Sequence, residues 1–230
     1  MSLADEIVNL VFPHRCIVCK AKSKSFLCDE CFSKLDINFP RCRFCSRPVA
    51  SENSICIDCL KGDRQFSKGF VLFNYRDGIS NRIVEFAKFY EQPRVFDILF
   101  YFSSIIKDLD VFEGVDFIIP VAMHRKDIKA RSYNQSVVLA KTISKITDIK
   151  VCFDCVEKIR QTKKQVGLSA KERKRNLKGA FRITKELKCK KVIIVDDVFT
   201  TGSTINEIAS LFKAKGIETN FFTFAATPQS

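Results

Sequence analysis

The sequence predicts an α/β protein: a mainly parallel sheet flanked by helices, preceded by a small cysteine-rich domain. Three observations predict it. Eight of the eleven cysteines fall in four Cys-x-x-Cys pairs before residue 60. Beyond residue 69, short apolar runs alternate with helically periodic segments, the order expected of βα units. One of those runs, "KVIIVDD" (191–197), is continuously apolar until it ends in two acids, as a strand buried on both faces would be.

The cysteine pairs are Cys16/Cys19, Cys28/Cys31, Cys42/Cys45 and Cys56/Cys59. A Cys-x-x-Cys turn offers two thiolates to one tetrahedral ion, and two such turns complete its shell. Two zinc ribbons in sequence are the simplest arrangement. An interleaved pairing, with the first pair joining the third, also satisfies the spacing, so the domain takes one or two structural zinc ions. Disulfides fit poorly in a reducing compartment, and an iron–sulfur cluster is the weaker alternative. A segment with few aliphatic residues needs such staples to fold. The polar, glycine-flanked stretch "KGDRQFSKG" (61–69) reads as a linker, which puts the ribbon domain at 1–62 and the α/β domain at 63–230.

In the second domain "GFVLFNYRDG" (69–78) reads as a strand and turn, and Ile79–Tyr90 and Val95–Leu109 as helices parted by Pro93. "VDFIIPV" (115–121) is a short buried strand, and Arg131–Thr147 a helix with Leu139, Ile143 and Ile146 on one face. "KVCFDCVEK" (150–158) reads as a strand, which would turn Cys152 and Cys155 to opposite sides as core residues. After "KVIIVDD", Ser203–Lys215 is a helix burying Ile205, Ile208, Ala209 and Phe212, with Gly216 at its stop. "NFFTFAA" (220–226) is the last strand.

The longest apolar stretch, Val95 to Ile106, is too short to span a bilayer and is broken by Asp97. The first residues carry Asp5 and Glu6 where a signal peptide carries Lys or Arg, so a cytoplasmic location without membrane insertion is expected. The net charge of +13 is concentrated. Between Val121 and Lys191 there are 21 Lys+Arg against 6 Asp+Glu, and the rest of the chain sums to −2. A general lysine bias would spread the excess, whereas a concentrated positive field attracts nucleic acid or a polyphosphorylated small molecule.

The stretch "VIIVDDVFTTGST" (192–204) carries the chemistry. Ligands of open parallel sheets gather at the C-terminal strand ends, and this strand delivers Asp196 and Asp197 there. Two ionised carboxylates only accept hydrogen bonds, and a vicinal diol offers two O–H donors. Thr200, Thr201, Gly202, Ser203 and Thr204 add small hydroxyls, successive backbone N–H groups and a helix N-terminus, an anion site for a phosphate. A diol beside a phosphate describes ribose 5-phosphate. A Walker loop would need a lysine and a dinucleotide fingerprint three spaced glycines, and neither is present. A helix cap alone needs one hydroxyl, not two acids and four hydroxyls.

This stretch resembles the ribose-phosphate signature of type I phosphoribosyltransferases. The cysteine pairs, "HRKDIKARSYNQS" (124–136) and "RQTKKQVGLSAKERKRNLKGAF" (160–181) narrow the resemblance to the ComF family of competence proteins, over most of the chain. The resemblance implies that Asp196 and Asp197 hold the ribose hydroxyls of phosphoribosyl pyrophosphate and that residues 200–204 cradle its 5-phosphate. It places the pyrophosphate loop at Ala122, Met123, His124 and Arg125, with Mg²⁺ arriving on the pyrophosphate. It makes 160–182 a hood over the site. There Ser169 and Glu172 form a capping box that starts a helix at Ala170, carrying Lys171, Arg173, Lys174 and Arg175. Those four, with Arg160, Arg131, Asn134 and Gln135, are candidates for phosphate or nucleic-acid contact. The chain departs from the family at Ser132-Tyr133, where Gly-Phe is expected, at Ala122, where a second proline is common, and after Lys88-Phe89, where a glycine is expected.

Three functions follow. The resemblance implies a protein handling single-stranded DNA in natural transformation, with a competence helicase as a further partner and a retained site for phosphoribosyl pyrophosphate. The alternative is an active phosphoribosyltransferase acting on a nitrogen acceptor, although no residue stands out as a base. A third variant keeps the site as a sensor of its ligand.

Overall fold

The computed structural model describes residues 15–90, 92–162 and 170–228. The N-terminal stretch with His14 and the cap residue Ser169 lie outside it, as do the side chains of Arg131, Lys171, Arg173 and Lys174. Among the described residues the strands are β1 (Gly69–Asn74), β2 (Phe117–Pro120), β3 (Val156–Lys158), β4 (Phe181–Ile183), β5 (Lys191–Phe199) and β6 (Glu218–Ala226). The α-helices are α1 (Asp29–Ser33), α2 (Ile57–Leu60), α3 (Ile79–Phe89), α4 (Ser103–Lys107), α5 (Arg125–Arg131), α6 (Gln135–Thr147), α7 (Ala170–Leu177) and α8 (Ser203–Lys213). No described helix is long and apolar enough to cross a membrane.

Four strands form a parallel sheet in the order β1-β6-β5-β2, and β3 and β4 form a separate antiparallel pair. Alternation along β5 assigns its apolar run to two cores. Ile193 and Val195 pack with α3, α4, α6 and the 3-10 helix Pro93–Phe102. Val192 and Ile194 pack with α8 and the β3–β4 hairpin. Burial on both faces explains why the run shows no polar alternation.

The two cysteine-rich modules join opposite faces of this sheet. Cys16, Ile17, Leu27 and Cys31 belong to the first core, and Phe39 with Cys42, Cys45, Cys56 and Cys59 to the second. The stretch read as a linker is itself fastened down. Gln65 N–H donates to Asn206 Oδ1 at 2.9 Å, and Phe66 meets Phe221 edge-on at 4.8 Å.

Four local expectations are corrected. The segment after Pro93 is a 3-10 helix to Phe102 and becomes α-helical only at Ser103. The helix expected over Arg131–Thr147 starts only at Gln135, capped by Asn134, while Arg131 ends α5 and Ser132 takes φ 61° between them. The strand expected over 150–158 exists only at Val156–Lys158, with an isolated bridge from Val151 to Ile118. Cys152 and Cys155 therefore do not face apart. A tight turn brings the two onto one side, with Cα atoms 5.6 Å apart.

Candidate functional site

β2 stops at Pro120, opposite Val195, whereas β5 continues against β6 to Phe199. Asp196 and Asp197 are thus the first residues past the β2 edge, and the sheet opens beside them. Asp196 accepts from Ser136 Oγ at 2.8 Å and from the Asp197 N–H at 3.0 Å. Burial, with the neighbouring Asp197 charge second, pushes the Asp196 carboxyl up to about 7. Asp197 instead pairs with Lys88 Nζ at 3.0 Å. Burial works against the Lys88 charge, but Asp197 and then Asp196 hold its ammonium above the ordinary value. Lys158, on β3, feels the charge of Asp196 too. Burial lowers it, although Asp127 and Asp196 act in the other direction.

The loop after β5 turns into α8 at Gly202, which has φ 69°. A Cβ there would come within 2.7 Å of the Phe199 ring, so the loop needs glycine for both its conformation and its closeness to Phe199. Thr201 Oγ1 and Ser203 Oγ lie 2.8 Å apart, and Ser203 N–H reaches Thr201 Oγ1 at 3.4 Å. Thr200, Thr201, Ser203 and Thr204 are all partly exposed at the mouth of α8.

Ala122, Met123 and His124 run in irregular backbone from β2 to α5, partly exposed. His124 caps α5, its Nδ1 accepting from Lys126 N–H at 3.3 Å, while Arg125 points outward to Glu157 at 3.4 Å. Asn134 donates to the Val121 carbonyl at 2.9 Å and accepts from Ser136 N–H at 3.0 Å. Its side chain is therefore committed to tying the 121–125 loop to α6. Gln135 is buried, with no partner at its side-chain nitrogen. Arg160 is also committed, donating to the carbonyls of Asn176 at 2.8 Å and Lys178 at 2.9 Å, which closes the C-terminal end of α7. Arg175 is exposed on α7.

Sequence reasoning singled out neither Lys88, Ser136, Lys158 nor Arg47 for the site. The signal for Lys88 was a lone lysine on an amphipathic helix. Ser136 follows the Asn-Gln pair and carries no sequence signal of its contact with Asp196.

The cysteines form two clusters, Cys16/Cys19/Cys28/Cys31 and Cys42/Cys45/Cys56/Cys59, each with all sulfur atoms within 4.8 Å of one another. The pairing is sequential. Cys19 and Cys28 Sγ are 3.5 Å apart and Cys45 and Cys56 Sγ 3.6 Å. Four thiolates at about 2.3 Å from zinc would be about 3.8 Å apart, so both donor sets fit the ion. Lys20 N–H on Cys16 O and Ser46 N–H on Cys42 O, both 2.9 Å, close equivalent knuckles.

Residues 7–60 match the double zinc ribbon domain, and residues 127–229 the phosphoribosyl transferase domain. The chain is 32% identical over 216 residues to competence protein F of Haemophilus influenzae, covering 90% of this chain and 94% of that protein. The chain belongs to the competence protein F (ComF) family. A further relative, DNA utilization protein YhgH of Escherichia coli O6:H1 (strain CFT073), is 29% identical over 221 residues, covering 91% of this ComF chain and 95% of that protein. A faint structural likeness to adenine phosphoribosyltransferase from Leishmania tarentolae has a TM-score of 0.37 at 11% identity. It covers 61% of this ComF chain and 74% of that one, and is too slight to carry a functional inference.

Proposed function

We propose that this protein handles single-stranded DNA during DNA uptake and keeps a binding site for ribose 5-phosphate or phosphoribosyl pyrophosphate. The observation that carries the ligand half is the placement of two carboxylates, Asp196 and Asp197, and the hydroxyl-rich loop 200–204 at one strand end. The carboxylates accept the diol and the loop takes the phosphate. Magnesium in this reading travels on the ligand's pyrophosphate and its waters, beside residues 122–125.

The DNA half is supported by the names of the relatives, competence protein F and DNA utilization protein, and by the 21 Lys+Arg against 6 Asp+Glu between Val121 and Lys191. A phosphate backbone is recognised by such a field without regard to sequence. The residues put forward for it are Arg131 on α5 and Lys171, Arg173, Lys174 and Arg175 on α7, with Arg160 holding the end of α7. The cytoplasm, where incoming single strands arrive, is the proposed site of action, with a helicase as a downstream partner. In this reading the α/β domain, 63–230, carries both tasks, and the ribbon domain, 1–62, packs against its sheet and supports it.

Calorimetric titration of ribose 5-phosphate tests the ligand half. Binding by the wild type and its loss in Asp197→Asn support the reading, and equal binding by both contradicts it. Release of pyrophosphate from phosphoribosyl pyrophosphate with a nitrogen acceptor would instead favour the transferase.

A further inference from the structure

Arg47 lies in the second ribbon, between Cys45 and Cys56, yet its side chain ends at the candidate phosphate loop. Only 3% of it is exposed. Nη1 donates to Asp58 Oδ2 at 2.9 Å, and Asp58 immediately precedes the cysteine ligand Cys59. Nη2 donates to the backbone carbonyl of Thr200, and the guanidinium lies over the Phe199 ring, 4.9 Å from its centroid. Phe199 in turn stacks on Phe221 at 4.7 Å and 7° and lies beneath Gly202. A single buried cation thus touches the ribbon at one end and both residues that open the loop at the other.

We infer that Arg47 is a strut through which the second cysteine cluster sets the position of the phosphate loop. The peptide bonds of the described residues are trans. A trans peptide points its C=O and the following N–H in opposite directions. Fixing the Thr200 carbonyl on the ribbon therefore aims the Thr201 N–H away from the ribbon. Without Arg47 the Thr200 peptide loses this anchor at the start of the loop. Arg47 is a positioning residue, since it reaches the loop's backbone rather than a ligand. The ribbon is then part of the ribose-phosphate site, and filling of its zinc cluster and binding of the phosphate are coupled. Lysine is a poor substitute, because one ammonium cannot span Asp58 and Thr200 while lying flat on Phe199.

This inference rests on the reading of 200–204 as a phosphate loop, and its test separates the two. Zinc content, ribose 5-phosphate affinity and amide hydrogen exchange at 201–204 are measured for the wild type, Arg47→Met, Arg47→Lys and Asp58→Asn. Asp58 is 42% exposed, so its variant tests the strut even if Arg47→Met fails to fold. The strut predicts two zinc ions per chain in each variant and faster exchange at 201–204. It predicts about tenfold to hundredfold weaker binding in Arg47→Met, the scale of a lost charged hydrogen bond. It also predicts a smaller loss in Arg47→Lys and Asp58→Asn. Unchanged exchange and affinity with zinc retained would overturn it. If the wild type binds no ribose 5-phosphate, the phosphate reading fails and exchange alone decides on the strut.

Discussion

The ammonium of Lys88 lies 3.0 Å from a carboxylate oxygen of Asp197, with the two side chains 25% and 13% exposed. Arg82 and Glu85 on the same helix lie at the same 3.0 Å but are 54% and 37% exposed. Distance is thus held constant while solvent differs. Exposed pairs contribute about 0.2–1 kcal/mol and buried partners considerably more, because removing one strands the other. A double-mutant cycle on stability with Lys88→Met and Asp197→Asn should give a coupling of about 1–2 kcal/mol. The matching cycle at Arg82 and Glu85 should stay below about 0.5 kcal/mol. Equal couplings would remove Lys88 from the site's electrostatics.

In the proposed site, Asp196 should make ribose 5-phosphate binding pH-dependent. Its carboxyl is raised to about 7, so at pH 6 it is mostly protonated and offers the diol one acceptor fewer. Affinity for ribose 5-phosphate should rise as pH passes through about 7, and Asp196→Asn should leave only the slope due to the phosphate itself. The sign for stability is opposite. A carboxyl with a raised folded value stabilises the fold below its unfolded value and loses that contribution as pH rises toward 7. Asp196→Asn should therefore be relatively more stable than the wild type at pH 8 than at pH 4, measured by thermal unfolding.

Ser132 occupies a left-handed conformation, φ 61°, between α5 and α6. An L-residue other than glycine pays about 1 kcal/mol there. Ser132→Gly should raise stability by about 0.5–1 kcal/mol, or a few degrees in melting temperature. A loss would show that the hydroxyl matters more than the backbone.

The sequential pairing of cysteines predicts two zinc ions per chain. Cys19→Ser and Cys45→Ser should each lose one ion by metal analysis. Cys45 is 1% exposed inside the second sheet core whereas Cys19 is exposed, so Cys45→Ser should lower the melting temperature more. Equal losses would mean that the ribbons stabilise the sheet through metal alone.

Much of this was legible because it is local. The cysteine spacing, the apolar run of β5 and the Asp-Asp-loop-helix order all lie within short windows, and Gly202 and Gly216 announce their own turns. What was not legible depends on distant partners or on a residue standing where a more telling one is usual. Ser132 hid a break that glycine would have marked. Cys152 and Cys155 looked like strand residues because a tight turn of Phe153 and Asp154 has no Gly or Pro. Lys88 meets Asp197, and Arg47 meets Thr200, across more than a hundred residues of sequence. No periodicity records such contacts.

Single-stranded DNA binding is measured by fluorescence anisotropy of a labelled oligothymidine titrated with the zinc-loaded protein across a range of salt, with and without magnesium and phosphoribosyl pyrophosphate. The logarithm of the affinity should fall linearly with the logarithm of salt, by about 0.7 per phosphate neutralised, and less steeply when Lys171, Arg173, Lys174 and Arg175 are replaced by glutamine. No binding, or binding indifferent to salt, would contradict the proposed DNA handling and return the basic segment to the small-molecule site.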